Sequence, residues 1–249
     1  MKNFKIIANW KMNGSKEEVK DWISNFLDRA DLKQLDCIFC PPICYLDKAN
    51  EIIFADNLKL NLGSQNLDSD EDHPSTGAIN GAMLKDLGCE YVLIGHSERR
   101  IHFDEGEDIL LKKLTSAVKS NLKIIYCVGE TTEQRDQDQA VATIKSQLRI
   151  LKGLPFNLVS IAYEPVWSIG RGITPSLDSI DEMHQIIKDE VKSIFNTDEK
   201  IAVSYGGSVT KDNATSISLL NWVDGLLVGG ASLNPESFSE IANNITGQN

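Results

Sequence analysis

Residues 158–172 read LVSIAYEPVWSIGRG, an apolar, β-rich run that ends at Glu164 and is followed at once by Pro165. Proline lacks a backbone N–H and holds the preceding residue in an extended conformation, so we expect a strand to end here with Glu164 fixed in place. Gly170 and Gly172 permit backbone conformations closed to other residues and let main-chain N–H groups approach a ligand. The segment predicts a general base beneath a hinged loop. A buried structural glutamate under an ordinary surface loop is the alternative.

Seven more β-rich runs alternate with amphipathic, helix-like stretches along the rest of the chain. Most of these runs are apolar along their length, as expected for parallel strands covered on both faces. Eight strand–helix units in 249 residues predict a single-domain (β/α)8 barrel, with a doubly wound open sheet as the alternative. The predicted strands are 4–8, 36–39, 58–63, 91–94, 122–128, 158–163, 201–204 and 223–228. Helix starts are predicted at Ser15-x-x-Glu18, Thr131-x-x-Gln134 and Asn234-Pro235.

The composition limits the partners and the location. The formal charge is −11, from 25 basic and 36 acidic residues, and Arg99-Arg100 is the most basic cluster, so nucleic acid is not an expected partner. No apolar run approaches the ~20 residues that span a membrane, and no charged-then-apolar leader precedes the first strand. Neither a flexible linker nor a shift in composition divides the chain. We expect one cytoplasmic domain over residues 1–249, without membrane contact.

The cysteines and most histidines predict packing rather than a metal site. Five cysteines are an odd number in a chain that needs no disulfides, so we expect reduced thiols. Cys37 and Cys40 form C-x-x-C, but residues three apart on a strand point to opposite faces. His73, His102 and His184 have no convergent carboxylate or cysteine set, which favours surface or packing roles. We therefore expect neither a metal nor another cofactor.

Polar side chains collect where the predicted strands end. Asn9 and Lys11 follow the first strand, His96 follows the fourth, and Glu164 ends the sixth. In a (β/α)8 barrel the C-terminal strand ends meet at one rim, and the chemistry belongs there. These four side chains are therefore expected to converge on one site.

Five motifs in the chain resemble the triosephosphate isomerase family, and the resemblance covers essentially the whole sequence. It implies a TIM barrel that interconverts dihydroxyacetone phosphate and D-glyceraldehyde 3-phosphate through an enediolate, without a cofactor. Each motif alone is weak, whereas five in the family's order are specific. The motifs are NWKMNG at 9–14, GHSERR at 95–100, YEPVW at 163–167, YGGSV at 205–209 and VGGASL at 228–233.

The resemblance assigns the catalytic roles. Glu164 removes a proton next to the carbonyl group and returns it to the neighbouring carbon, while His96, Lys11 and Asn9 donate hydrogen bonds to the carbonyl oxygen. A helix is expected to start at His96, and its positive end disfavours imidazolium, so the histidine should be neutral. The triosephosphate isomerase family is a well-known example of such pKa tuning, and these roles come from the resemblance.

The resemblance also assigns a phosphate site and a lid. Lys11 is expected to supply positive charge beside main-chain donors at Gly170, Ser208, Gly229 and Gly230, near the short helix that typically binds phosphate in this fold. Tight turns alone are the alternative for the paired glycines. The lid departs from the family at Arg171 and at 173–175, which predicts altered lid kinetics with the mechanism intact. The residues that resemble the family's hinge and latch contacts are Trp167, Glu130, Tyr205 and Ser208.

A homodimer is expected because the family inserts its third loop, here around 73–77, beside the other subunit's site. Ala78 replaces the carboxylate that the family pairs with the residue equivalent to Arg99, so Arg99 needs another partner or solvent. One exposed ion pair contributes only ~0–1 kcal/mol, so the dimer is still predicted. Glu98 is expected to contact Lys11, and Cys127 is expected to pack beneath Glu164 rather than act as a nucleophile.

Two functions other than triose phosphate isomerisation are alternatives. A metal-dependent sugar-phosphate epimerase would require histidine and aspartate ligands at several strand ends, where His96 stands alone. A noncatalytic binding or scaffold protein would be expected to have lost Lys11, His96 or Glu164, all of which are present.

Overall fold

The computed structural model describes residues 4–69, 74–169 and 174–247. Each strand pairs in parallel with the next one along the chain, and the last pairs with the first, so the sheet is closed. The predicted (β/α)8 barrel is confirmed, and the open-sheet alternative is wrong. The strands are β1 (Phe4–Asn9), β2 (Leu35–Cys40), β3 (Asn61–Ser64), β4 (Tyr91–Ile94), β5 (Lys123–Val128), β6 (Val159–Tyr163), β7 (Val203–Tyr205) and β8 (Gly225–Val228).

Helices follow the strands around the outside of the barrel, and all three predicted helix starts are confirmed. Ser15 Oγ accepts a hydrogen bond from the Glu18 N–H, Thr131 and Gln134 form a reciprocal capping box, and Asn234 caps a helix that begins at Pro235. The α-helices of the described ranges are α1 (Lys16–Arg29), α2 (Leu46–Ala55), α3 (Gly81–Asp86), α4 (Ser97–His102), α5 (Glu107–Lys119), α6 (Thr132–Asp136), α7 (Ala140–Leu148), α8 (Leu177–Phe195), α9 (Ala214–Ser218) and α10 (Pro235–Thr246).

Two hydrophobic clusters lie on opposite faces of the sheet. A small one is formed by side chains such as Ile7 and Leu227, and a large one includes Val19 and other helix residues. Cys37 belongs to the large cluster and Cys40 to the small one, so the prediction that they point to opposite faces is confirmed. All five cysteines lie within the described ranges, and each is a free thiol.

None of the helices in the described ranges is long and apolar enough to cross a membrane.

An aromatic cluster joins the two ends of the chain. The Trp22 ring of α1 stacks on Phe39 of β2 at a centroid distance of 4.5 Å and on Phe26 at 4.9 Å. Phe238 of α10 completes the cluster, with its ring centroid 5.0 Å from that of Phe26. The first and last helices are thereby packed together against the strand that neighbours β1.

Phe238→Ala should lower the free energy of unfolding by about 3–5 kcal/mol, because the ring is buried among other aromatic rings and its removal leaves a cavity. Denaturant unfolding followed by tryptophan fluorescence measures the change. Phe54→Ala is the matched control, since Phe54 is 83% exposed and its truncation should change stability by no more than ~0.5 kcal/mol. Equal effects of the two substitutions would contradict this account of the cluster.

Candidate active site

The predicted catalytic side chains line one cavity of about 310 Å³ at the C-terminal ends of the strands. The cavity brings together side chains that follow β1, β4 and β6 with the turns that follow β7 and β8. Gly170 lies outside the described residues, as do Arg171, Gly172, Ile173 and His73. The predicted site residues that line the cavity are Asn9, Lys11, His96, Glu164, Ser208, Gly229 and Gly230.

Glu164 is buried, and both of its carboxylate oxygens are engaged. Oε1 lies 2.9 Å from Nε2 of His96. Oε2 accepts a hydrogen bond of 3.0 Å from the backbone N–H of Ser97, the first residue of α4. The backbone N–H of Glu164 donates to the carbonyl oxygen of Val128 at 2.7 Å, so β5 holds the backbone from which this side chain extends.

Two influences on His96 oppose each other. Burial lowers its pKa and the Glu164 carboxylate raises it, with a net pKa above the ordinary value. The ring nitrogen Nδ1, however, accepts a hydrogen bond of 3.2 Å from the backbone N–H of Glu98, which requires that Nδ1 carry no proton. The hydrogen-bond pattern therefore favours a neutral ring with its proton on Nε2, as expected, whereas the contact with Glu164 works against that state.

Lys11 enters the cavity from an unusual backbone conformation. Its φ is +55°, in the left-handed region. The backbone N–H of Lys11 donates to Oδ1 of Asn9 at 3.1 Å, and its ammonium group lies 2.6 Å from Glu98. Burial raises the pKa of Glu98, but the hydrogen bond and charge of Lys11, together with His96 and His102, lower it, and the net pKa lies below the ordinary value. The predicted contact between Glu98 and Lys11 is confirmed.

Close packing beneath Glu164 leaves little freedom for its backbone. A β-carbon added at Gly129 would lie 1.8 Å from the backbone oxygen of Glu164, and one at Gly206 would lie 3.0 Å from its Cγ. Cys127 is fully buried, and burial, followed by the nearby Glu164 charge, raises the pKa of its thiol well above the ordinary value. A protonated, inaccessible thiol packs as predicted and does not act as a nucleophile.

The expected hinge contact is also present. Nε1 of Trp167 donates to Oε1 of the fully buried Glu130 at 2.8 Å, and the Tyr163 hydroxyl donates to the same oxygen at 3.1 Å. Arg135 was not predicted from the sequence. Its guanidinium group lies 3.2 Å from Glu130 and stacks over the Trp167 ring at 4.5 Å. The N-terminal end of the lid is therefore held by a buried carboxylate with three partners.

Thr174, near the far end of the expected lid, contacts the turn after β7. The Thr174 hydroxyl lies 3.5 Å from the carbonyl oxygen of Ser208, and Asn213 donates to both of them. Tyr205 is fully buried beneath this turn. A β-carbon added at Gly207 would lie 2.2 Å from its hydroxyl oxygen, so the tyrosine packs directly against the turn. The latch residues predicted at Tyr205 and Ser208 thus lie at the root of the lid.

The glycine pairs that follow β7 and β8 have different surroundings. A β-carbon would be crowded at Gly206, 3.0 Å from Cγ of Glu164, and would clash at Gly207, 2.2 Å from the Tyr205 hydroxyl oxygen. At Gly229 the nearest atom to an added β-carbon is Cε of Lys11 at 3.5 Å, and at Gly230 nothing described lies within 4 Å. Packing therefore explains the first pair, whereas the second leaves backbone open beside the Lys11 side chain.

Arg99, which was expected to contact another partner or solvent, pairs with a carboxylate of its own chain. Its Nε donates to Glu105 at 2.8 Å, and the guanidinium group stacks over the Phe103 ring at 3.9 Å. Lys113 binds the same carboxylate at 2.6 Å, and both Glu105 and Lys113 are buried. Sequence patterns did not indicate this buried ion cluster, because Glu105 and Lys113 belong to no motif.

Comparisons with known proteins agree with this geometry. The family model described as triosephosphate isomerase matches residues 4–245. The triosephosphate isomerase of Alkaliphilus oremlandii is 39% identical over 244 residues, covering 96% of this chain and 98% of the relative. That of Thermodesulfovibrio yellowstonii is 37% identical over 240 residues, covering 95% and 97%. That of Finegoldia magna is 38% identical over 247 residues, covering 96% and 97%. With its closed barrel, its rim of polar side chains and near-complete matches to these relatives, the chain belongs to the triosephosphate isomerase family.

Proposed function

We propose that this chain interconverts dihydroxyacetone phosphate and D-glyceraldehyde 3-phosphate by proton transfer through an enediolate. One observation carries the proposal. Glu164, His96, Lys11 and Asn9 line a single cavity of about 310 Å³, and they are the residues that the family resemblance assigns to the reaction.

Glu164 is the proposed base. Its carboxylate takes the proton from the hydroxyl-bearing carbon next to the ketone, and the C–H electron pair forms the double bond of the enediolate. Negative charge moves to the carbonyl oxygen. The carboxyl group then returns the proton to the former carbonyl carbon, while the remaining hydroxyl proton passes between the two oxygens. Atoms and electrons balance without an oxidant or reductant, so the proposed reaction takes no cofactor.

Hydrogen-bond donors surround the oxygen that gains charge. Nε2 of His96 is the protonated nitrogen in the pattern described above, and Lys11 and Asn9 line the same cavity. Removal of one such preorganised donor typically raises a barrier by roughly 3–4 kcal/mol. The proposed role of His96 as a neutral electrophile follows the standard description of this family.

To reach a substrate carbon, the Glu164 carboxylate must give up its contacts with His96 and Ser97. The substrate then takes over the Nε2–H donor of His96, because one N–H cannot serve both acceptors at full strength. Substrate binding and movement of the base are therefore one coupled exchange. The tight packing of the Glu164 backbone restricts that exchange to the side chain.

The proposed phosphate site lies at Gly229 and Gly230, with Ser208 and Gly170 as further main-chain donors. An overall charge of −11 does not oppose it, since charges beyond about 8 Å are largely screened at physiological salt. Lys11 is the nearby cation, and a short 3-10 helix, Gly230–Ser232, begins at this turn. The recurrent phosphate site of this fold uses the loops after strands seven and eight.

The alternatives are less well supported. A metal-dependent epimerase needs converging histidine and carboxylate ligands, and the described residues contain no group of three His, Cys, Asp or Glu side chains suited to a metal. A scaffold protein has no need for the coupled contacts of Glu164, His96 and Lys11.

We further propose one domain over residues 1–249, in the cytoplasm, where glycolysis and gluconeogenesis use these triose phosphates and free thiols stay reduced. Neither nucleic acid nor a membrane is a proposed partner.

Glu164→Gln should lower kcat by about 10²- to 10⁴-fold with little change in KM, because the amide cannot accept the proton. A coupled assay that follows glyceraldehyde 3-phosphate turnover measures this. Glu133→Gln is the control, since Glu133 is an exposed glutamate of α6. Undiminished kcat in Glu164→Gln would exclude the assigned base. No turnover from the folded wild-type protein would overturn the proposed function and favour the scaffold.

Lys11→Met should lower kcat/KM by about 10²- to 10³-fold, because it removes the cation beside both the developing oxyanion and the phosphate. Inhibition by inorganic phosphate should weaken in parallel. Lys20→Met removes an exposed lysine of α1 and is the matched change in net charge. Similar kinetics for the two variants would mean that bulk charge, rather than the position of Lys11, attracts the substrate.

We also propose a homodimer. Exposed apolar side chains follow or flank the first four strands, at Met12, Ile43, Met83 and Ile101, and a dimer would cover them. Sedimentation velocity at micromolar concentration should show a dimer. A monomer under those conditions would contradict the proposed homodimer. It would show that the chain, with alanine at position 78, does not form a stable dimer interface.

A further inference from the structure

The backbone of Lys11 needs support from its surroundings. A side chain that can hydrogen-bond to its own backbone tolerates a positive φ, whereas lysine has no such compensation. Lys11 has a φ of +55°, and every other non-glycine residue with positive φ in the described ranges is an asparagine or aspartate. Those residues are Asn57, Asp104, Asn121, Asp138 and Asn196.

Gln65 supplies that support by donating a hydrogen bond to the backbone carbonyl group of Lys11. Its Nε2 donates to the carbonyl oxygen of Lys11 at 2.9 Å and to that of Cys40 at 2.9 Å. Cys40 ends β2, Lys11 follows β1, and Gln65 follows β3. One side-chain amide therefore ties the ends of three neighbouring strands and uses both of its hydrogens to do so.

The two hydrogen bonds of Gln65 lie where the chain leaves the barrel after β1. Met12, the next residue, is 95% exposed. Up to Lys11 the backbone is held on one side by Asn9 and on the other by Gln65. From that backbone the lysine side chain reaches Glu98 at 2.6 Å and passes beside Gly229. A change of backbone conformation at Lys11 would redirect this side chain.

We propose that Gln65 is a positioning residue that holds Lys11 in its left-handed conformation and so aims the ammonium group into the cavity. Gln65 itself does not line the cavity and has no direct contact with a bound substrate. The proposal rests on the role of Lys11 in the proposed function, and it extends that role to a residue on another strand.

Gln65→Met removes both donors at nearly constant size. We expect KM for glyceraldehyde 3-phosphate and the inhibition constant for inorganic phosphate each to rise about tenfold, as for the loss of binding worth about one or two hydrogen bonds. The far-UV circular dichroism spectrum should match that of the wild type. Gln65→Glu is the second variant, since it also lacks the donors, and it should raise KM in the same direction.

A double-mutant cycle separates positioning from a general structural effect. In a Lys11→Met background the ammonium group is absent, so Gln65→Met should then change KM by less than about twofold. Asn13→Ala is the matched control, because Asn13 also ties this loop by an amide-to-carbonyl bond, at Trp10 and 2.8 Å. It should leave KM within about twofold of the wild type.

The outcomes are distinct. A wild-type protein without turnover would overturn the proposed function, and the dissociation constant of inorganic phosphate, measured by isothermal titration calorimetry on the wild type and Gln65→Met, would then still test Gln65. An active wild type with an unchanged KM in Gln65→Met would overturn the positioning role alone. The same would follow if Gln65→Met raised KM equally in both backgrounds, or if Asn13→Ala matched it.

Discussion

Closure of the sheet between β1 and β8 is the constraint on which the site depends. Lys5, Ile6, Ile7 and Ala8 pair with residues 225–228, so the two ends of the chain meet and all strand ends share one rim. A β-carbon at Gly225 would lie 2.5 Å from Oγ of Ser204 and 2.7 Å from the carbonyl oxygen of Lys5. The seam therefore closes tightly at a glycine. Without it, Lys11 and Gly229 would belong to opposite edges of an open sheet.

Once the barrel is closed, electrostatic partners can be drawn from distant parts of the chain. Lys11 pairs with Glu98, which lies 87 residues away. Glu105, in contrast, binds Arg99 and Lys113, which are its neighbours in the chain. Glu105 is buried, so leaving either cation without it would carry a desolvation penalty that an exposed pair does not. Arg99 therefore has a buried carboxylate partner within its own chain.

The fold and the residues that line the rim cavity could be predicted from the sequence, because both depend on where strands end. The apolar runs indicate the strands, and the side chains after them, including Asn9, His96 and Glu164, must then reach one rim. Contacts that depend on side-chain direction could not be predicted in this way. The left-handed φ of Lys11 leaves no local signal in a lysine, and the reach of Gln65 to Cys40 depends on the stagger of three strands. The steric need for Gly207, in contrast to the open space at Gly230, likewise emerges only from packing.

The contact between Glu164 and His96 links the position of the proposed base to the charge of the proposed electrophile. Burial and Lys11 both lower the pKa of His96, whereas the carboxylates of Glu164 and Glu98 raise it. When the Glu164 carboxylate moves towards a substrate carbon, the larger of the two raising influences weakens, while the ring stays buried. The pKa of His96 must then fall, because a cation in a buried position is stable only beside a compensating charge. Movement of the proposed base thus favours the neutral imidazole of the proposed enediolate step, and the Glu98 N–H at Nδ1 keeps the remaining proton on Nε2.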